Sequence, residues 1–237
     1  MNRTSWRWYD VLVVLAGGAL AGLLAGLFAG DPSTAGAYDA DRVFWLIIPC
    51  QNLGHIGVLV LIARARRSGT LADSLGFIVE GHRWGWVLAG AASSLLLAVL
   101  AEALRSLLGV EEASPQAIVE AAQEVTSTGT MVAAVIGVGV MGPIAEELLY
   151  RGLTIRIALD RGMPAALAVV VSAAVFTVAH LADASLFSRA GAITLSVLFL
   201  FGLFLGVLRI RTGNIGASIF AHSGLNLMTL ATLFFIV

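Results

Sequence analysis

Charge is what this chain has least of. Of its 237 residues only 12% are Asp, Glu, Lys or Arg, about half the share found in soluble domains. The 14 basic and 15 acidic residues nearly cancel, leaving a formal net charge of −1. That balance argues against a nucleic-acid partner, whose phosphates are met by clustered basic residues. Cysteine is nearly absent too. A lone Cys50 excludes an internal disulfide and any Cys-based metal cluster, and its apolar neighbours suit a packed thiol better than a nucleophile. Internal repeats, low-complexity tracts and domain linkers are also missing. What is present is oil: 59% of the residues are hydrophobic, and the mean hydropathy is +0.93.

Such a composition predicts a membrane protein. Apolar runs fall near 11–30, 43–63, 84–108, 128–159, 164–181, 190–208 and 214–237. At roughly 20 residues per crossing they predict an all-α, polytopic bundle of about seven spanning helices. A polar cavity formed by the C-terminal helices is expected, within one transmembrane domain (1–237) whose motif-bearing core occupies about 128–237. The first run follows Arg3 and Arg7 and precedes Ala35-Gly36-Ala37, which resembles a signal-peptide cleavage site. Its apolar core is longer than the 7–15 residues or so of a signal sequence, so it reads as a retained helix. Gly18, Gly22, Gly26 and Gly30 recur there every fourth residue, and Gly202 and Gly206 repeat the device. Small-residue stripes of this kind let helices approach closely.

Basic residues set the expected orientation. Arg3, Arg7, Arg64, Arg66, Arg67, Arg83, Arg156, Arg161, Arg209 and Arg211 fall at alternate ends of the runs. The opposite loops hold Asp31, Asp39, Asp41, Glu111, Glu112, Glu120 and Glu124. The N-terminus is therefore expected in the cytoplasm and the C-terminus outside, in the plasma membrane. Segment 109–127 is either a loop or an interfacial helix.

Two carboxylates in the oil call for a reason, since an ionisable group at membrane depth is costly unless paired or wet. Glu146 and Glu147 lie in the run Gly142-Pro143-Ile144-Ala145-Glu146-Glu147-Leu148-Leu149-Tyr150-Arg151. Glu147 and Arg151 are four apart and share a helix face. Glu146 lies about 100° round the helix, so one carboxylate can be neutralised while the other points elsewhere. Pro143 removes a backbone donor and can kink the helix just ahead of them.

Two further constellations accompany this pair. Phe176 and His180 share a face at the end of the fifth run, and His222 and Asn226 stand one turn apart on the last. Each has an ordinary reading as a helix-end cap or as interhelical glue. If the fourth and fifth runs form a hairpin turning near Gly162, Glu146 and His180 reach depths that differ by only about 3 Å. His222 is shallower on paper, which fits if the hairpin projects into the cytoplasm. Two carboxylates, two imidazoles and an amide can thus converge in a cavity open to the cytoplasm, a set able to activate water and stabilise an oxyanion.

The motifs Glu146-Glu147-x-x-x-Arg151, Phe176-x-x-x-His180 and His222-x-x-x-Asn226, with their flanks, resemble in order and spacing those of the CPBP family. These are intramembrane glutamic proteases related to the type II CAAX prenyl endopeptidases. The resemblance implies a metal-independent endopeptidase acting on a peptide or protein substrate, lipidated or membrane-associated. Glu146 would activate water, His180 would hold it and return protons, and His222 and Asn226 would donate to the oxyanion. Glu147 and Arg151 would orient these groups, with Phe176 in support.

Other readings share the residues. Glu146, His180 and His222 have the composition of a two-histidine, one-carboxylate zinc site, although no His-Glu-x-x-His helix is present; without zinc, no cofactor is expected. A non-catalytic immunity or scaffold protein could keep the same polar core. A proton-coupled transporter could use a Glu–His relay, but its inverted repeats are not evident. Gln51, Asn52 and His55 in the second run read as helix glue, with cavity lining as the alternative.

Overall fold

A computed structural model describes residues 6–29, 40–78, 83–111, 117–181 and 188–236, and these contain helices and no strands. Arg3, Gly30, Asp31, Ala35-Gly36-Ala37, Asp39 and Glu112 lie outside the described residues. Seven helices carry the architecture: α1 (Trp8–Ala29), α2 (Ala40–Ala65), α3 (Arg83–Leu108), α4 (Thr128–Asp160), α5 (Ala165–Ala179), α6 (Arg189–Thr212) and α7 (Gly216–Phe235). Six are long and apolar enough to cross a membrane. The seventh, α5, has 15 residues and rises roughly 22 Å, short of a 30 Å hydrocarbon core. It stops at His180, which is its C-terminal cap.

Local chemistry sets several boundaries. Ser127 caps α4 by accepting from the Thr130 amide at 3.1 Å, and Ser188 caps α6 through Gly191 at 2.9 Å. Gly162, at φ +80°, makes the tight turn between α4 and α5. The glycine stripe of α1 is filled by α2: a Cβ at Gly18 would overlap the His55 ring, and one at Gly22 would meet Gln51. Gly202 and Gly206 likewise admit Ala173 and Val169 of α5. The helix crossing of α3 and α7 is closer still, because Gly90 abuts the Ala221 carbonyl and Gly224 the Val87 carbonyl.

The two ends of the bundle differ in character. At one, Arg66 of the α2–α3 connection donates to Asp10 at 2.7 Å and to the Tyr9 hydroxyl at 2.9 Å. Arg161 at the hairpin turn reaches the Trp6 carbonyl at 3.3 Å. At the other end Thr130 donates to Asp41. There the 109–127 segment holds a seven-residue helix, Ala117–Gln123. Ala122 and Val125 pack into one apolar cluster with Phe44 and Leu230, so this helix closes the bundle end.

The depth of His222 has a structural cause. The α7 N-terminus is held by the segment after the short helix Leu71–Leu75, where Gly76 accepts from the Ile215 amide at 2.9 Å. Leu75 packs against Gly152 in turn. The start of α7 therefore lies near Gly152, in the last third of α4, and the α4–α5 turn projects beyond it.

Candidate active site

Helix α4 is not uniform. Its α-helical stretch Gly142–Glu147, which carries both glutamates, lies between two π-helical stretches, Val135–Met141 and Leu148–Thr154. A π turn leaves carbonyls that the ordinary ladder does not serve, and such turns concentrate at functional sites. Side chains serve them here. Ser172 of α5 donates to the Tyr150 carbonyl at 2.8 Å, and Thr154 to that of Leu149 at 3.0 Å. Asn52 of α2 and Asn226 of α7 donate to the consecutive carbonyls of Gly137 (3.2 Å) and Val138 (2.8 Å).

Glu147 and Arg151 are both fully buried, and the Arg151 Nη1 lies 2.9 Å from the Glu147 Oε1. The second Arg151 terminal nitrogen donates to the Gly202 carbonyl at 3.0 Å. Its guanidinium carbon stacks 4.8 Å above the Phe176 ring, a desolvated cation–π contact. The His222 Nδ1 donates to the same Glu147 oxygen at 2.9 Å; an ionised carboxylate can only accept, which fixes the proton on that nitrogen. One buried carboxylate thus holds an arginine of its own helix and a histidine of α7.

Glu146 points elsewhere. Its side chain keeps 27% of its exposure, and its Oε2 stands 3.9 Å from the His222 Nε2. That oxygen is buried and has no hydrogen-bond partner. On the other side of His222 the Phe201 ring packs edge-on at 5.3 Å. Phe176 is shared by three residues: it meets Tyr150 at 5.2 Å, His180 at 4.6 Å and His222 at 6.1 Å between centroids.

His180 terminates α5 and donates from Nδ1 to the Phe176 carbonyl at 2.8 Å. It is therefore a helix-end cap, and its Nε2 is left as an acceptor. Capping and chemistry do not compete, since they use different nitrogens. Asn226, half-buried, has one amide hydrogen engaged with Val138 and a second to spare.

Fold and packing bring Arg151, His180 and His222 against the Phe176 ring, and Glu146 and Glu147 stand against His222. Asn226 attaches to the same α4 segment one turn along α7. Sequence reasoning missed two contributors and the partner of a third, Asn52, which it reads as helix glue. The Gly202 carbonyl and the Phe201 ring carried no signal beyond close packing. Asn52 was legible as a polar residue in an apolar run, but its partner lies 85 residues away. The donor set was also tested for a metal: among the described residues, no three His, Cys, Asp or Glu side chains are grouped to hold an ion. A groove of about 480 Å³ between α5 and α6 is lined by apolar residues and by Thr177 and Ser196. It lies outside this polar cluster.

No curated protein and no solved structure matches the chain. Residues 128–228 match the family model described as type II CAAX prenyl endopeptidase Rce1-like. That segment opens at the first residue of α4 and takes in all three motifs, so this part of the chain is similar to the Rce1-like protease family.

Proposed function

We propose that this integral membrane protein is a glutamic endopeptidase that needs no metal or other cofactor. Glu146 is its general base. The observation that carries this reading is the division of labour between adjacent carboxylates. Each glutamate keeps one buried oxygen unpartnered, but Glu147 is fully buried and held through its other oxygen by Arg151 and His222, whereas Glu146 is 27% exposed and stands 3.9 Å from the His222 Nε2. A base must be free to take a proton, and a base that is already paired is not.

In this reaction Glu146 removes a proton from water as the water oxygen attacks the scissile carbonyl carbon. The His180 Nε2 accepts a hydrogen bond from that water, takes over the proton that Glu146 removed and delivers it to the departing amine as the C–N bond breaks, which leaves Glu146 ionised again. The developing oxyanion receives the second amide hydrogen of Asn226 and the His222 Nε2–H. Because Nδ1 already donates to Glu147, the latter donation requires an imidazolium. Glu147, Arg151 and Phe176 hold these groups in place and touch no substrate. The substrate is a peptide or protein, lipidated or membrane-associated, and the site opens to the cytoplasm with the N-terminus on that side. The plasma membrane is the proposed location. The orientation rests on the excess of arginines at one end of the bundle, where Arg7, Arg64, Arg66, Arg67, Arg156, Arg161, Arg209 and Arg211 lie against Arg42, Arg105 and Arg189 at the other.

The test is hydrolysis of a panel of prenylated and unmodified peptides by the purified full chain. Glu146→Gln is expected to lower kcat by about 10²–10⁴ while leaving insertion and melting temperature unchanged. A strong chelator is expected to change nothing. Wild-type turnover in Glu146→Gln removes the glutamate mechanism. Activity lost to chelator and restored by zinc would instead make Glu146, His180 and His222 candidates for ligands of an ion that lowers the pKa of its water.

A further inference from the structure

The segment that aims Glu146 depends on a hydrogen bond that its own backbone cannot make. Gly142 closes the first π turn by donating to the Gly137 carbonyl, five residues back. In the same register the next amide, at position 143, would serve the Val138 carbonyl. Residue 143 is proline and has no N–H to give. The vacant place is taken by the Asn226 amide, 2.8 Å from that oxygen. One residue earlier the buried Asn52 amide reinforces the Gly137 carbonyl at 3.2 Å. Two amides from helices α2 and α7 therefore grip consecutive carbonyls of the turn that precedes the glutamates.

We infer that Asn52 is a positioning residue for Glu146, and that with Asn226 it holds open the π turn that Pro143 leaves underbonded. A π turn contains one residue more than an α turn. If it relaxed, every following side chain would be offset by one position, about 100° of rotation. That is enough to carry the Glu146 carboxylate away from His222. The two groups also lie close together. A point just off the Gly142 backbone, where a Cβ would sit, is 3.8 Å from the Asn52 nitrogen and 3.9 Å from the Glu146 Oε1. Asn52 lies outside the segment 128–228 that matches the family model, so the site as built includes part of the N-terminal half. The kinetic consequence rests on the glutamate mechanism; the clamp itself does not.

A double-mutant cycle decides it. Asn52→Leu keeps the size of the side chain and removes its donors; Pro143→Ala returns the missing N–H. In the full chain in detergent, Asn52→Leu is expected to lower kcat roughly 10-fold with KM within about 2-fold of wild type, the scale seen for residues that orient others. Asn52→Gln, which keeps the amide, is expected to recover part of the loss. In the Pro143→Ala background the backbone either serves Val138 itself or has already relaxed, so Asn52→Leu should add little. Such coupling marks residues acting on one element.

A second readout needs no substrate. Dicyclohexylcarbodiimide, which modifies carboxyl groups in apolar surroundings, is expected to label Glu146 and spare Glu147 in the wild type. The Glu146 labelling rate should change at least about 3-fold in Asn52→Leu, again only when Pro143 is present, as coupling requires. Should Asn52→Leu fold too poorly to purify, Asn52→Ser, whose hydroxyl is too short to reach Gly137, takes its place. Additive effects of the two substitutions overturn the proposal, as does an unchanged labelling rate. A wild type that cleaves no peptide but shows coupled labelling would overturn the protease reading and keep the clamp.

Discussion

Helices α3 and α4 are nearly equal in hydropathy and opposite in placement. Over their spanning windows the mean hydropathy is 2.0 for α3 and 1.7 for α4, yet 6% of the first window is buried against 56% of the second. In water the more apolar helix would go inside. In a bilayer the lipid tails are as apolar as leucine, and that sorting force vanishes. What places α4 at the centre is its polar content: Glu147 and Arg151 are completely buried and meet partners from other helices, His222 of α7 and the Gly202 carbonyl of α6. The ionised residues of α3, Glu102 and Arg105, sit near its end and pair with each other. In this molecule polarity marks the inside, and hydrophobicity marks only the membrane.

The contrast is broken most severely by removing the charge that holds α4 in place. Arg151→Ala is expected to cost about 3–5 kcal/mol, because Glu147 is left buried with His222 as its only ring or ionic partner. Melting temperature in detergent measures it, and the loss should appear whether or not any substrate is present. The same substitution at Arg105, which is near the surface, should leave the melting temperature where it was. Equal melting of Arg151→Ala and wild type would mean that the ion pair does not hold the centre together.

How far the molecule can be read from its residues follows the same division. Spanning segments are legible because about 20 apolar residues in a row leave few alternatives. The Glu147–Arg151 pair is legible because both members lie on one helix, four apart. The glycine stripe on α1 is legible as a close approach, though not as an approach by α2. The short reach of α5 is half legible: the run 164–181 is itself short for a crossing and ends one residue past His180, where the helix stops. Least legible are the π turns. They depend on a missing N–H at Pro143, which is local, and on amides from Asn52 and Asn226, which are not. A one-dimensional pattern records the deficit and not what fills it. The same limit applies to His222, whose depth depends on a contact between Leu75 and Gly152.

The peripheral helix is not irrelevant to the central one, and an intermediate effect should show it. Gly90 of α3 abuts the backbone carbonyl of Ala221, the residue before His222. No rotamer change relieves a clash between a Cβ and a backbone oxygen, so Gly90→Ala must shift α3, α7 or both. Overpacking of this kind costs about 1–3 kcal/mol. Because the shift is applied one residue from His222, turnover should fall along with melting temperature. Gly57, whose Cβ would meet nothing within 4 Å, serves as the control: Gly57→Ala should change neither.

The smallest expected effect tests the comparison most sharply, since it concerns the face of α3 that touches no protein. Leu88 and Leu96 each retain 68% of their exposure. In a soluble protein such a pair would be an exposed apolar patch in need of a partner; in a bilayer it is solvated by lipid. Truncating a leucine there removes contacts with lipid from the folded state and from the inserted but undocked state alike. The two losses cancel, so Leu96→Ala should change stability by less than about 0.5 kcal/mol, as a substitution away from any packed or polar feature does. Activity should be unchanged. The measurement is the melting temperature in detergent and again in liposomes. A drop worth 2 kcal/mol or more, on the scale of a leucine truncated in a packed core, would mean that this face is covered by protein. The most direct candidate would be α3 of a second copy, and cross-linking through a single cysteine introduced at position 96, in a chain whose Cys50 had been replaced, would then be expected to yield a dimer.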